Sequence, residues 1–104
     1  MNSYRYRVTL EKIAGQKGEA VEGEKLAFEV PNHDDILPIV ERMKGRGDLE
    51  ADAAAALAVG LKLFGEVVLE NRQRAPFADV RPALSAFIGS IKQGVGAEPA
   101  KSED

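Results

Sequence analysis

Residues 31–40 read "PNHDDILPIV", and the apolar side chains change their period across them. Before Pro31 they recur at every second residue; after Asp35 they recur at every third or fourth. A period of two is a strand with one apolar face, and a spacing of three and four is a helix with one apolar stripe. The chain therefore reads as sheet first and helices afterwards, with the switch inside this segment.

The same ten residues hold the only histidine, His33, beside Asp34 and Asp35, a grouping that raises metal or acid–base chemistry. Consecutive residues entering a helix project about 100° apart, so three in a row converge badly on one cation. The positive end of a helix dipole also repels a cation and favours bare carboxylates. Helix initiation uses every residue instead: Asn32 caps, Asp34 and Asp35 sit in the first turn, and Pro31 and Ile36 form a hydrophobic staple. Asp35 is the alternative cap, and it is the one that leaves Pro38 in the tolerated first turn. Both starts are open at the level of sequence. The expectation is no metal, no cofactor and no catalytic residue, with His33 and Asp34 kept as candidate binding residues.

Upstream, Tyr4, Tyr6, Val8 and Leu10 alternate with Arg5, Arg7, Thr9 and Glu11, and Leu26, Phe28 and Val30 alternate with Lys25, Ala27 and Glu29. These are two half-buried strands, expected to pair as a hairpin. The connection "GQKGEAVEG" is polar and punctuated by glycine, which predicts a long mobile loop instead of a two-residue turn. Downstream, Ile36, Ile39, Val40 and Met43 make one stripe on a short helix that Gly45 and Gly47 end. A second helix is expected from a cap at Asp48 to about Asn71, with Leu57, Leu61, Phe64 and Val68 as its main stripe and Val59, Leu63 and Val67 widening it. Gly60 and Gly65 inside it predict a close helix crossing, because each costs about 1 kcal/mol relative to Ala. A third helix is expected to start near Pro82 with Asp79 as its cap, carrying Val80, Leu84, Phe87, Ile88 and Ile91. The tail from 94 to 104 has no apolar period and is expected to be disordered.

Composition narrows the function classes. The chain has 104 residues and a net charge of −3, which suits one domain spanning 1–93. Acidic and basic residues are interleaved throughout, so no segment offers the clustered Lys and Arg that phosphate neutralisation needs; no nucleic-acid partner is expected. The most apolar run, 53–69, contains Lys62 and Glu66, which argues for a core helix and against a membrane span. Without cysteine there is neither disulfide nor thiolate, and with Arg5 and Arg7 interrupting any leader-like run at the start, the expected compartment is the cytoplasm.

Three further features have a structural reading beside a functional one. Arg72 and Arg74 could hold an anion near a helix C-terminus, although cations are favoured there by the dipole alone; they join His33 and Asp34 as candidate binding residues. "GRGD" at 45–48 contains an adhesion tripeptide but sits between two helices, where a glycine C-cap and an aspartate N-cap account for it. The helix pair over 36–70 suggests a DNA-reading motif, yet its second helix is apolar along most of its length.

The segments "YRYRVTLE" at 4–11, "NHDDI" at 32–36, "ALAVGLKLFGEVVL" at 56–69 and "PFADVRPALSAFI" at 76–88 together resemble a family of small bacterial proteins known as a domain of unknown function, over roughly residues 4–92. The resemblance implies a bacterial cytosolic origin and carries no activity, cofactor or catalytic residue. The fold expected is α+β: a two-stranded antiparallel hairpin followed by three helices (ββααα), with one layer of helices on the sheet. The function expected is a non-enzymatic protein-interaction or adaptor module that self-associates as a homodimer. The alternative is a small-molecule-binding protein or minor enzyme with a pocket between sheet and helices.

Overall fold

A computed structural model describes residues 3–94, with side chains through Lys92. The elements follow in the expected order: β1 (Tyr4–Glu11), β2 (Lys25–Asn32), α1 (Ile36–Lys44), α2 (Ala51–Glu70) and α3 (Phe77–Gly94). The chain divides into two compact units between Asp35 and Ile36.

The first unit is the hairpin. β1 and β2 pair antiparallel with Tyr6 opposite Val30, Val8 opposite Phe28 and Leu10 opposite Leu26 on one face, and Arg7 opposite Glu29 and Glu11 opposite Lys25 on the other. The alternation in the sequence is thus the alternation of the two faces. Beyond Glu11 the ladder continues: the Lys12 N–H donates to the Glu24 carbonyl at 3.0 Å, their side chains form an ion pair, and Ala14 bridges Ala20. The connection expected to be a mobile loop is therefore a hydrogen-bonded extension of the hairpin. It closes through Gly15 N–H to Glu19 O at 2.8 Å and Gly18 N–H to Gly15 O at 3.0 Å, and Gly18 takes φ +84, a left-handed conformation that glycine adopts without a Cβ penalty.

The second unit is helical. Its core is Ile36, Val40 and Met43 from α1 against Ala54, Ala58 and Val68 of α2, all below a tenth exposed. α1 and α2 pack more extensively on each other than α2 does on α3. On α2 the buried stripe runs through the alanines, with Leu57 and Leu61 half-buried beside them, whereas Phe64 and Val67 are 47% and 46% exposed. Of the expected main stripe Val68 is buried and Leu57 and Leu61 half-buried, while Phe64 lies outside the core and Ala54 and Ala58 join it, because small residues are what let α1 approach closely. The crossing expected at Gly60 and Gly65 is absent among the described residues: a Cβ at either glycine would meet nothing within 4 Å.

The helix starts also differ. α1 begins at Ile36, which puts Pro38 in its first turn, the arrangement that follows from Asp35 as the flanking residue. α2 begins after Glu50, with no side-chain cap bond, since the Asp48 carboxylate expected to cap it is bound to Arg46 instead. α3 begins at Phe77, so Pro82 lies inside it and Asp79 in its first turn. The extra helical residues bring Phe77 and Val80 to half-buried positions, which offsets the single backbone bond that Pro82 cannot make. Gly94 still belongs to α3, and residues 95–104 of the expected tail lie outside the described residues. No helix among the described residues is long and apolar enough to cross a membrane.

Candidate functional site

The segment that raised metal chemistry closes β2. Asn32 is only 1% exposed, and its side-chain Oδ1 accepts from the Asp34 N–H at 3.0 Å. The Tyr6 hydroxyl, across the sheet, donates to the Asp34 carbonyl oxygen at 3.0 Å. Both main-chain groups of Asp34 are thereby held by side chains of the hairpin, and Asn32 builds a turn after a strand instead of capping a helix. His33 and Asp35 are exposed and Asp34 half-buried. Among the described residues no group of three or more His, Cys, Asp or Glu side chains gathers as a metal site would need.

Arg72 and Arg74 lie in the connection from α2 to α3. Arg72 Nη1 donates to the Leu69 carbonyl at 2.9 Å, and Arg74 Nη2 donates to Asn71 Oδ1 at 2.8 Å while its guanidinium lies 5.7 Å from the centre of the Phe77 ring. Asn71 completes the closure of α2, since both its N–H and its Nδ2 donate to the Val67 carbonyl. The two arginines line a polar depression with Glu70, Asn71 and Gln73, and each gives one donor to the end of α2. His33 and Asp34 belong to the first unit and Arg72 and Arg74 to the second.

Two other features stand out, neither of which the sequence reading singled out as a site. The first is the apolar face of the hairpin. Tyr4, Leu10, Leu26 and Phe28 are between 39% and 67% exposed, and no apolar side chain of that unit is buried among the described residues. Its opposite face is self-neutralised: Glu29 accepts from Arg5 at 3.2 Å and from Arg7 at 2.9 Å. Those bonds, first from Arg5 and then from Arg7, hold the Glu29 carboxyl below its usual range.

The second is a pocket of about 290 Å³ where the three helices meet, with Met43 from α1, Leu61 from α2 and Ile88 and Ile91 from α3 among its walls. Arg42, Lys62 and Lys92, one from each helix, complete its lining. Arg42 and Lys92 are exposed and Lys62 is partly so, which places the positive charge at the mouth and the apolar groups beneath. Patterning on one element could not reveal it, because each helix supplies only a few of its residues.

This geometry defines a class: a small α+β chain whose polar side chains close turns and helix ends, and whose open features are an apolar sheet face and a helical pocket. The chain belongs to the family DUF3861, a domain of unknown function with a solved structure, whose model matches residues 4–93. Among solved structures it is similar to a protein of unknown function from Pectobacterium atrosepticum, at 30% identity and a TM-score of 0.75, covering 88% of this chain and 99% of that one. No curated protein matches the chain. Neither the family nor this structural relative indicates a specific function.

Proposed function

We propose that the protein is a non-enzymatic interaction module whose first partner is a second copy of itself. The observation that carries this reading is the open apolar face of the hairpin. Two strands with no buried apolar side chain are marginal in water, and a third strand or a covering surface is the remedy. The two edges are not equivalent. β2 carries Pro31, which lacks an N–H and blunts its edge, whereas β1 has eight residues and no proline.

A two-fold axis at Val8 pairs β1 with its copy antiparallel so that like faces coincide: Tyr6 meets Leu10 of the other copy, and Arg5 meets its Glu11. Opposite charges then face each other twice across the axis, and the apolar faces merge into one four-stranded surface. The reading of the module as non-catalytic is supported by the bonds of Arg72 and Arg74 to Leu69 and Asn71 at the end of α2. Its proposed setting is a reducing cytosol, to which a chain built without cysteine is suited.

Light scattering at high micromolar concentration is expected to give twice the chain mass of 11.2 kDa. A monomer mass under those conditions overturns the reading. Glu11→Lys puts two like charges opposite each other at each end of the pairing and is expected to weaken the dimer; an unchanged dimer rules out this strand register.

A further inference from the structure

We infer that the pocket among α1, α2 and α3 binds an uncharged, apolar small molecule of about ten non-hydrogen atoms, which completes the packing of α3 on the other two helices. The pocket's volume of about 290 Å³ holds about that many atoms at the roughly 30 Å³ each that liquid packing allows. Of its walls, Met43 and Ala58 are 8% and 1% exposed, and Leu61, Ile88 and Ile91 are half-buried. Protein interiors pack like organic crystals, and a void among aliphatic side chains leaves their inner surfaces without contacts. The deficit falls on α3, which contributes no fully buried side chain among the described residues and packs on α2 less extensively than α1 does. A guest that touches Ile88 and Ile91 of α3 together with Met43 and Leu61 supplies the missing contacts.

The polar groups of the lining residues have uses of their own, and this decides the chemistry of the guest. At the end of α1 the Arg42 carbonyl accepts from the Gly45 N–H at 3.1 Å and the Met43 carbonyl from the Arg46 N–H at 3.2 Å. On α3 the Ile91 carbonyl accepts from Arg46 Nη1 at 2.9 Å. Lys62 has an interaction of its own. Arg42 and Lys92 lie in the last turns of α1 and α3, where the helix dipole favours cations. Both are exposed, so their aliphatic stems add to the lining while the charged heads stay in water. An anion would gain little from cations that helix ends and water already hold, and it would give up hydration to enter an apolar void. A cation would give up its hydration for no carboxylate, since no acidic residue lines the pocket. A hydrocarbon-like guest has no such hydration to lose, and its removal from water is itself favourable. Aliphatic cavities of roughly half this volume already stay dry and take an aromatic ring.

The test is titration of the full chain with naphthalene, an uncharged hydrocarbon of the required size, by calorimetry and by methyl NMR. The expected result is one saturable site per chain, with shifts concentrated at the Met43, Leu61, Ile88 and Ile91 methyls. Naphthoate and naphthylmethylammonium, the same rings with opposite charges, are each expected to bind about tenfold more weakly. Arg42→Gln combined with Lys92→Gln is expected to leave the affinity for naphthalene within about twofold. Ile88→Phe fills the void from α3 and Leu61→Phe fills it from α2, and each is expected to cost about tenfold in affinity; the methyl shifts of the unaltered chain decide the site even if neither variant folds. At a free concentration ten times the Kd, naphthalene is also expected to slow hydrogen exchange of α3 amides near Ile91 by about tenfold. No saturable binding overturns the inference, as do methyl shifts centred outside the pocket, a charged analogue that binds as tightly as naphthalene, a tenfold loss in the double glutamine variant, full affinity in a folded void-filling variant, or unchanged exchange in α3. Binding is read per chain, so its failure is separable from any failure of the strand pairing.

Discussion

Arg46 reaches α3: its Nη1 donates to the carbonyl oxygen of Ile91, 45 residues along the chain, at 2.9 Å. Asp48 steadies the same guanidinium, accepting from Nε at 3.1 Å and from Nη2 at 2.7 Å. Gly47 between them takes φ +83, a turn conformation that favours glycine. The "GRGD" stretch is thus a clip from the α1–α2 connection to the end of α3, and the Arg46 side chain is only 16% exposed. Because α3 contributes no fully buried side chain to the core among the described residues, this clip matters to its attachment. Arg46→Lys keeps a charge but loses the fork that serves two acceptors at once. It is expected to speed hydrogen exchange of α3 amides near Ile91 more than those of α1, a comparison that exchange NMR makes directly.

The same pair gives a pH signature. The Arg46 hydrogen bond, with its charge adding to it, holds the Asp48 carboxyl below its usual range against a smaller opposing effect of burial. A group whose folded pKa is depressed contributes stability above its unfolded pKa, about 3.9 for Asp, and loses it as pH falls through the lower folded value. Asp48→Asn is therefore expected to lower the melting temperature at neutral pH. Melting curves of the two proteins are expected to converge as the pH drops below about 3.9; a gap that persists unchanged in acid would assign the effect to something other than this carboxylate.

Ala54 and Ala58 are buried on α2 together with Val68. Ala58→Leu is expected to destabilise by about 1–3 kcal/mol through overpacking against α1, whereas Ala56→Leu, two residues away and exposed, is expected to stay within about 0.5 kcal/mol. Denaturant titration distinguishes the two. The contrast also shows what the sequence could and could not reveal. Element order and the hairpin's faces were legible because a period of two or of about 3.6 survives in any packing. The part that Ala54 and Ala58 play on α2 was not, since "ADAAAALAVG" has apolar residues all around the helix, and the choice of buried face there belongs to the partner helix. The cap at Asp48 was misread for a related reason: Arg46, two residues earlier, competes for the same carboxylate.

Gly60 tests the outer face of α2. Among the described residues nothing beyond its own helix turn and chain neighbours approaches within 4 Å of a Cβ placed there, so the glycine costs helix stability with no packing return. Gly60→Ala is expected to stabilise the fold by about 1 kcal/mol and, because the proposed dimer uses β1, to leave the mass in light scattering unchanged. Loss of the dimer on this substitution would place the self-association on α2 instead.

Asp34 couples the two ends of the hairpin's last turn. Its N–H is held by Asn32 Oδ1 and its carbonyl oxygen by the Tyr6 hydroxyl, each at 3.0 Å. Asn32→Ala removes an acceptor at a residue that is 1% exposed and is expected to cost about 1–3 kcal/mol, because a partly buried donor loses its partner. Tyr6→Phe removes a donor and keeps the ring, for about 1 kcal/mol. If both bonds hold one turn conformation, losing either frees the turn and the second loss costs less, so the double variant is expected to fall short of the sum by about 0.5 kcal/mol or more. Chemical denaturation of the four proteins measures that coupling. Strictly additive losses would mean that the strand end and the turn are held independently, and that the asparagine, which the sequence offered as a helix cap, serves β2 alone.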